Sequence, residues 1–293
     1  MKTIAFAGLG AMGLPMVNNL IKAGHVVHGI DINPASLNAL EGMGGKAFTD
    51  AKQACQGADL LLILVVNASQ AKQVLFESGA IDVLPSGGIV CLMSTCPPAE
   101  VEEIARQVQV SGRRLVDAPL SGGVVGATNG SLTVMAACDE QTFNEINAVF
   151  KVIGERIFHV GLQPGQGAMC KTVNQLLCGL HIAVAAEAFS LAKKSGLDLK
   201  LLLEIMSGSA ASSWMLKDRG PRMLESDPIV TSAVDIFVKD LGIVMQAGRD
   251  AKAALPLTSA AYQLFLSTSG RGDGRLDDSQ VIRSYDLLNG VSK

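Results

Sequence analysis

The chain has 293 residues, 48% of them hydrophobic, and a formal net charge of −3, which leaves room for two cores and excludes the basic surplus that nucleic-acid binding needs. Its six cysteines (55, 91, 96, 138, 170 and 178) form no CxxC pair and no metal spacing with the four histidines, so they read as reduced thiols of a cytoplasmic protein without a metal site. The longest apolar run, 58–66, is broken by Asp59 and falls short of the ~20 residues a bilayer requires, so no membrane partner is expected.

Residues 3–7 form an apolar run that leads directly into Gly8-Leu9-Gly10-Ala11-Met12-Gly13. Gly8, Gly10, Gly13 and Pro15 break up what would otherwise imitate a signal peptide, and the stretch reads as a first strand. A helix-like segment to Ala23 and a second apolar run, 26–30, end at Asp31, eighteen residues past Gly13. This is a βαβ unit with a dinucleotide fingerprint. Gly8 allows the tight turn, Gly10 lets backbone approach a pyrophosphate, and Gly13 lets the helix pack close to the sheet. The pyrophosphate then lies on the N–H groups of the first helical turn, at Ala11, Met12 and Gly13. Asp31 is placed to accept hydrogen bonds from a ribose diol and to repel a 2′-phosphate. Asn33 and Pro34 follow it with no nearby cation, so the expected cofactor is NAD.

Further strand-like runs occur at 60–66, 88–93, 114–118, 132–137 and 157–159, mostly separated by helical spacers. That alternation predicts an α/β, doubly wound, mainly parallel Rossmann sheet. The turn-rich stretch 163–167 then ends the pattern. Beyond it the sequence reads as helices at 168–195, 199–206, 214–223, 233–253, 256–269 and 278–288. The expected division is a cofactor domain, 1–162, and an all-helical domain for substrate and oligomerisation, 163–293.

Lys171, Asn174, Gln175 and Cys178 are spaced to share one face of the 168–195 helix, with Val173, Leu176, Leu177 and Leu180 opposite. Two readings fit: an amphipathic helix with its polar side in water, or a catalytic face. Near a helix start, Lys171 has its proton affinity lowered by the positive helix end and further by burial, as a base in alcohol oxidation requires. Downstream of the 114–118 run, Ser121-Gly122-Gly123 offers a hydroxyl and backbone N–H groups for a small carboxylate; a plain Ser/Gly turn fits equally. Ser94-Thr95 follows another strand at the edge where open α/β sheets bind ligands, although Pro97-Pro98 equally make it a loop.

These segments, taken with Phe237-Val238-Lys239-Asp240-Leu241 and in this order along the chain, resemble the β-hydroxyacid dehydrogenase family. The resemblance implies Lys171 as catalytic acid/base, Asn174 and Ser121, Gly122 and Gly123 as substrate-binding, and Thr95 and Lys239 at the nicotinamide end. Leu64-Val65-Val66-Asn67, Ser213-Trp214-Met215 and residues 232–241 resemble a subgroup acting on small sugar acids, which adds Val66 and Asn67 to the cofactor contacts. Many relatives carry two asparagines where this chain has Asn174-Gln175, so no role for Gln175 follows. The family also implies a homodimer or homotetramer. Two alternatives remain: a small-semialdehyde reductase, and a protein that senses NAD without turnover. Taken without the resemblance, Trp214 reads first as filler of a hydrophobic seam and second as lining a substrate site, Lys239 and Asp240 as an exposed pair, His181 as packed within the long helix or at a subunit contact, and Arg219 and Arg222 as guides for an acidic substrate or surface charges.

Overall fold

Short runs of apolar residues form the parallel strands of the computed structural model, which describes residues 1–291. In order come β1 (Thr3–Ala7), α1 (Gly13–Lys22), β2 (Val26–Ile30), α2 (Pro34–Gly42), β3 (Lys46–Phe48), α3 (Ala51–Cys55), β4 (Leu60–Ile63) and α4 (Ala68–Lys72). They are followed by α5 (Ala80–Val83), β5 (Ile89–Leu92), α6 (Pro98–Val110), β6 (Arg114–Asp117), β7 (Leu120–Ser121) and α7 (Gly123–Asn129). The strands close with β8 (Leu132–Ala137), α8 (Glu140–Ile153) and β9 (Gly154–Gly161). The sheet runs in the order β3-β2-β1-β4-β5-β6-β8-β7, with β9 paired to β8. Strands β3 to β6 are mutually parallel, while β8 is antiparallel to β6 and β7.

Both faces of the central strands are buried. Ile4, Phe6, Leu60 and Leu62 enter one core; Ala5, Ala7, Leu61 and Ile63 enter the other. Helices on both faces therefore explain why these strands read as continuous apolar runs rather than alternating ones. Each fully buried Leu here contributes about 1.5–3 kcal/mol relative to exposure. The fourth strand stops at Ile63, three residues before the apolar run ends. There the backbone leaves the ladder: Val65 N donates to Ser94 Oγ at 2.9 Å and Val66 N to Gln70 Oε1 at 2.9 Å.

The remaining elements are helices: α9 (Gln166–Lys194), α10 (Leu199–Gly208), α11 (Trp214–Met223), α12 (Val234–Asp250), α13 (Pro256–Thr268) and α14 (Ile282–Leu288), the last preceded by a 3-10 turn at Asp278–Val281. The chain divides into two units, Met1–Lys171 and Thr172–Lys293, with the division inside α9. The helical unit is built on Ile182, Ala186, Phe189, Phe237, Leu241 and Phe265. Among the described helices α9 is the one long and apolar enough to cross a membrane by length and composition, a feature the strand-like run at 58–66 does not reveal. Half of its most apolar stretch is buried inside the protein, as in the central helix of a folded unit.

Buried charge also holds the helical unit together. Arg219 grips Asp278 through Nε and Nη2, both at 2.8 Å, and Arg222 Nη1 lies 2.7 Å from Asp277 Oδ2. Asp277 and Asp278 are buried. The two arginines are therefore engaged in a buried ion network rather than left as surface charges: Asp218 beside them pairs with both, while Asp277 and Asp278 lie more than fifty residues away, where no local pattern announces them.

Candidate active site

In the sheet unit, chain order reverses around β1, whose neighbours are β2 on one side and β4 on the other. Ligands bind at such switch points, beyond the carboxyl ends of the strands. The loop after β1 is shaped by contacts that only glycine permits. A Cβ at Gly8, where φ is +101°, would lie 2.2 Å from the Leu64 carbonyl oxygen, and one at Gly13 would lie 2.0 Å from that of Gly8. A Cβ at Gly10 would meet nothing within 4 Å, so the backbone there faces open space. No acid occupies the first turn of α1, and Met12 supplies no side-chain cap. The positive end of the helix, at Ala11, Met12 and Gly13, is thus left for a ligand anion, which fits a pyrophosphate.

Asp31 is anchored to this loop. Its Oδ2 accepts from Leu9 N at 2.6 Å and its Oδ1 from Asn33 N at 2.8 Å, while Asn33 caps α2 through Ala35 N. The carboxylate is thereby fixed beside the fingerprint. Along the same edge, Val66 is exposed, and Asn67 uses its side-chain oxygen to cap α4 at Gln70 N, 2.9 Å away. Thr95 is half-buried beside Ser94. Ser94 is buried and its hydroxyl accepts from Val65 N, so its task is to tie two strand ends together. Past β6, the chain turns through Ser121 into Gly122 and Gly123, whose φ values of +123° and +59° put successive peptides in a conformation that L side chains rarely adopt.

Asp117, at the end of β6, does something that its place in the apolar run 114–118 does not reveal. Its Oδ2 accepts from Gly165 N and Ala168 N, both at 2.8 Å, and so caps the start of α9 from 48 residues away. Burial pushes its carboxyl up to about 6, against the pull of the Ala168, Gly165 and Gly167 N–H groups. The helix that carries Lys171 is anchored at its N-terminus by this acid. Lys171 itself is in the second turn of α9, past the strongest influence of the helix end, and is 7% exposed.

The polarity of α9 runs opposite to that of a surface helix. Lys171 and Gln175 are buried and Asn174 is half-buried, whereas Val173 and Leu177 are 53% and 49% exposed. A polar stripe in water is thereby ruled out. Burying an amine and an amide costs several kcal/mol unless partners satisfy them, so this face is built for interaction.

In the helical unit, Lys239 and Asp240 lie on α12, and Asp240 is 2% exposed, not the surface residue that its sequence neighbourhood predicts. Its Oδ1 is 2.7 Å from Lys239 Nζ and its Oδ2 accepts from Gln175 Nε2 at 2.6 Å. Trp214, expected in a seam, is 56% exposed at the start of α11, and Ser213 caps that helix through Leu216 N. His181 is exposed on α9. Among the described residues no cluster of His, Cys, Asp and Glu is arranged to hold a metal ion.

Two family descriptions match nearly end to end: the NAD binding domain of 6-phosphogluconate dehydrogenase over residues 3–161, and the NAD-binding domain of NADP-dependent 3-hydroxyisobutyrate dehydrogenase over residues 165–285. The chain is 38% identical to an L-threonate dehydrogenase of Cupriavidus necator, covering 97% of this chain and 96% of that protein. It is 33% identical to a 2-hydroxy-3-oxopropionate reductase of Escherichia coli, covering 97% of each. The crystal structure of a 3-hydroxyisobutyrate dehydrogenase from Salmonella typhimurium superposes with a TM-score of 0.92 at 37% identity, over 97% of this chain and 99% of that one. With its dinucleotide fold, its fingerprint loop and these relatives, the chain belongs to the 3-hydroxyisobutyrate dehydrogenase family of NAD-dependent oxidoreductases acting on CH–OH groups.

Proposed function

We propose that this protein oxidises L-threonate at its 2-hydroxyl to 2-dehydro-L-erythronate, with NAD as hydride acceptor and Lys171 as general acid/base. The observation that carries the reading is the inward-facing polar side of α9, with Lys171 buried and Asn174 three residues on. The relatives at 38% identity favour L-threonate within the family.

Bound NAD supplies the acceptor for the hydride that leaves the carbinol carbon. Neutral Lys171 takes the hydroxyl proton as the C–H bond breaks, and in the reverse direction its ammonium returns that proton to the forming alkoxide. Ser121 and the Gly122 and Gly123 N–H groups hold the substrate carboxylate, and Asn174 holds a hydroxyl. Gly8, Gly10, Ala11, Met12 and Gly13 bind the pyrophosphate. Thr95 and Lys239 serve the nicotinamide end, and Val66 and Asn67 line the cofactor side. Asp31 favours NAD over NADP: its carboxylate is fixed beside the loop, and Ile32, Asn33 and Pro34 after it bring no cation for a 2′-phosphate.

Reduction of a small semialdehyde is the second reading, supported by the 33% identical oxopropionate reductase. A buried lysine argues against a mere NAD sensor, which has no use for one. The exposed apolar stripe Val173, Leu177, Val184 and Leu191 along α9 supports a homodimer or homotetramer, and six free cysteines support a cytoplasmic setting. Turnover of a hydroxy-acid panel with NAD and NADP tests the substrate and cofactor together. Light scattering on the purified protein tests the assembly.

A further inference from the structure

Gln175, Asp240 and Lys239 form a connected polar array within the helical unit, and the family resemblance assigns the first of them no role. Gln175 Nε2 is 2.6 Å from Asp240 Oδ2, and the other carboxylate oxygen is 2.7 Å from Lys239 Nζ. Asp240 and Gln175 are both buried, so one carboxylate oxygen is held by the amide hydrogen bond while the other faces the ammonium of the partly exposed Lys239 as an ion pair. The two helices carrying these groups come close because Gly179 has no side chain: a Cβ there would lie 2.7 Å from Leu241. At this separation the length of the residue at 175 matters. Asn is one methylene shorter and cannot carry its amide to Asp240 Oδ2 from the same backbone.

We propose that Gln175 is a positioning residue for Lys239. Its amide fixes the orientation of the Asp240 carboxylate, which in turn fixes the ammonium; this rests on the reading that Lys239 serves the nicotinamide end of the cofactor. Gln175 therefore acts through Asp240. A direct substrate contact would instead make it an extension of Asn174.

The two roles separate in a binding and kinetic cycle on the full-length protein. NADH affinity by fluorescence titration, and KM and kcat for the hydroxy acid, are measured for wild type, Gln175→Met, Gln175→Asn, Asp240→Asn, Lys239→Ala and the Gln175→Met/Lys239→Ala double variant. Gln175→Met keeps the side-chain length, and Gln175→Asn covers the case in which it does not fold. Positioning predicts that either Gln175 variant weakens NADH binding about tenfold, the scale of one hydrogen bond to a charged group, with Asp240→Asn alike. The double variant is then no weaker than Lys239→Ala alone. Wild-type NADH affinity in the Gln175 variants, with only the hydroxy-acid KM raised, overturns the proposal. So do fully additive losses in the double variant. If Lys239→Ala itself binds NADH normally, the placement of Lys239 fails, and the proposal falls with it by a result distinct from the other two.

Discussion

The two units bury different things, and the difference decides what holds each together. The sheet unit fills its interior with apolar strand residues and carries most of the residues proposed for cofactor and substrate in loops that follow β1, β4, β5 and β6. Its buried charged groups are Lys171 on α9 and Asp117, the acid that caps that helix. The helical unit instead buries Arg219, Asp240, Asp277 and Asp278 among its helices and pairs them over long sequence distances. Loss of one methyl in the first unit removes packing. Loss of one partner in the second strands a charge.

The largest expected effect falls on chemistry rather than on either core. Lys171→Ala should lower turnover by about 10²–10⁴-fold while NADH still binds, as measured by steady-state rates beside a binding titration. Retained turnover would show that the buried amine is structural. Next in size is the ion network: Arg219→Met leaves Asp278 buried without its bidentate partner and should cost about 3–5 kcal/mol in denaturant unfolding. The Arg219→Met/Asp278→Leu double variant should recover much of that loss, and equal damage in both would mean that packing, not charge, dominates there.

Asp117 sharpens the contrast, because it is a buried acid in the apolar unit. Its carboxyl is raised from 3.8 to about 6, so its protonated form suits the fold better. Its contribution is fully present below about pH 4 and is lost as pH rises through about 6, amounting to about 3 kcal/mol. Chemical denaturation of wild type against Asp117→Asn across that range should show the wild type losing relative stability as pH rises. A difference independent of pH would show that burial does not disfavour the charged form. The smallest effect is at the loop edge: Asp31→Ser with Ile32→Arg should shift preference from NAD toward NADP by about tenfold or more in kcat/KM. An unchanged ratio would remove Asp31 from cofactor choice.

How much the sequence reveals follows the same division. The fingerprint glycines, the strands β1, β2, β5 and β8 and the helix α11 are legible because they depend on neighbours a few residues away. Runs such as 60–66 are over-read, since Val65 and Val66 turn their N–H groups to Ser94 and Gln70 instead of to a strand. The face of α9 is legible as a grouping of Lys171, Asn174, Gln175 and Cys178, but not as inward-facing, because periodicity gives a stripe without its direction. Arg219, Asp240 and Trp214 are misjudged for one reason: their burial is decided by segments remote in sequence. A buried acid two residues before a proline, as at Asp117, is a weak local hint of a structural role. Nothing near Asp278 hints at its arginine.

L-Threonate oxidation is tested most directly by NADH formation by the purified protein with NAD and L-threonate, D-threonate, D-erythronate, glycerate and 3-hydroxyisobutyrate, with NADP and Lys171→Ala as controls. The expected result is turnover of L-threonate with NAD in preference to NADP, abolished in Lys171→Ala. Turnover of glycerate instead, or NAD binding without turnover of any acid in the panel, would overturn the assignment of L-threonate oxidation.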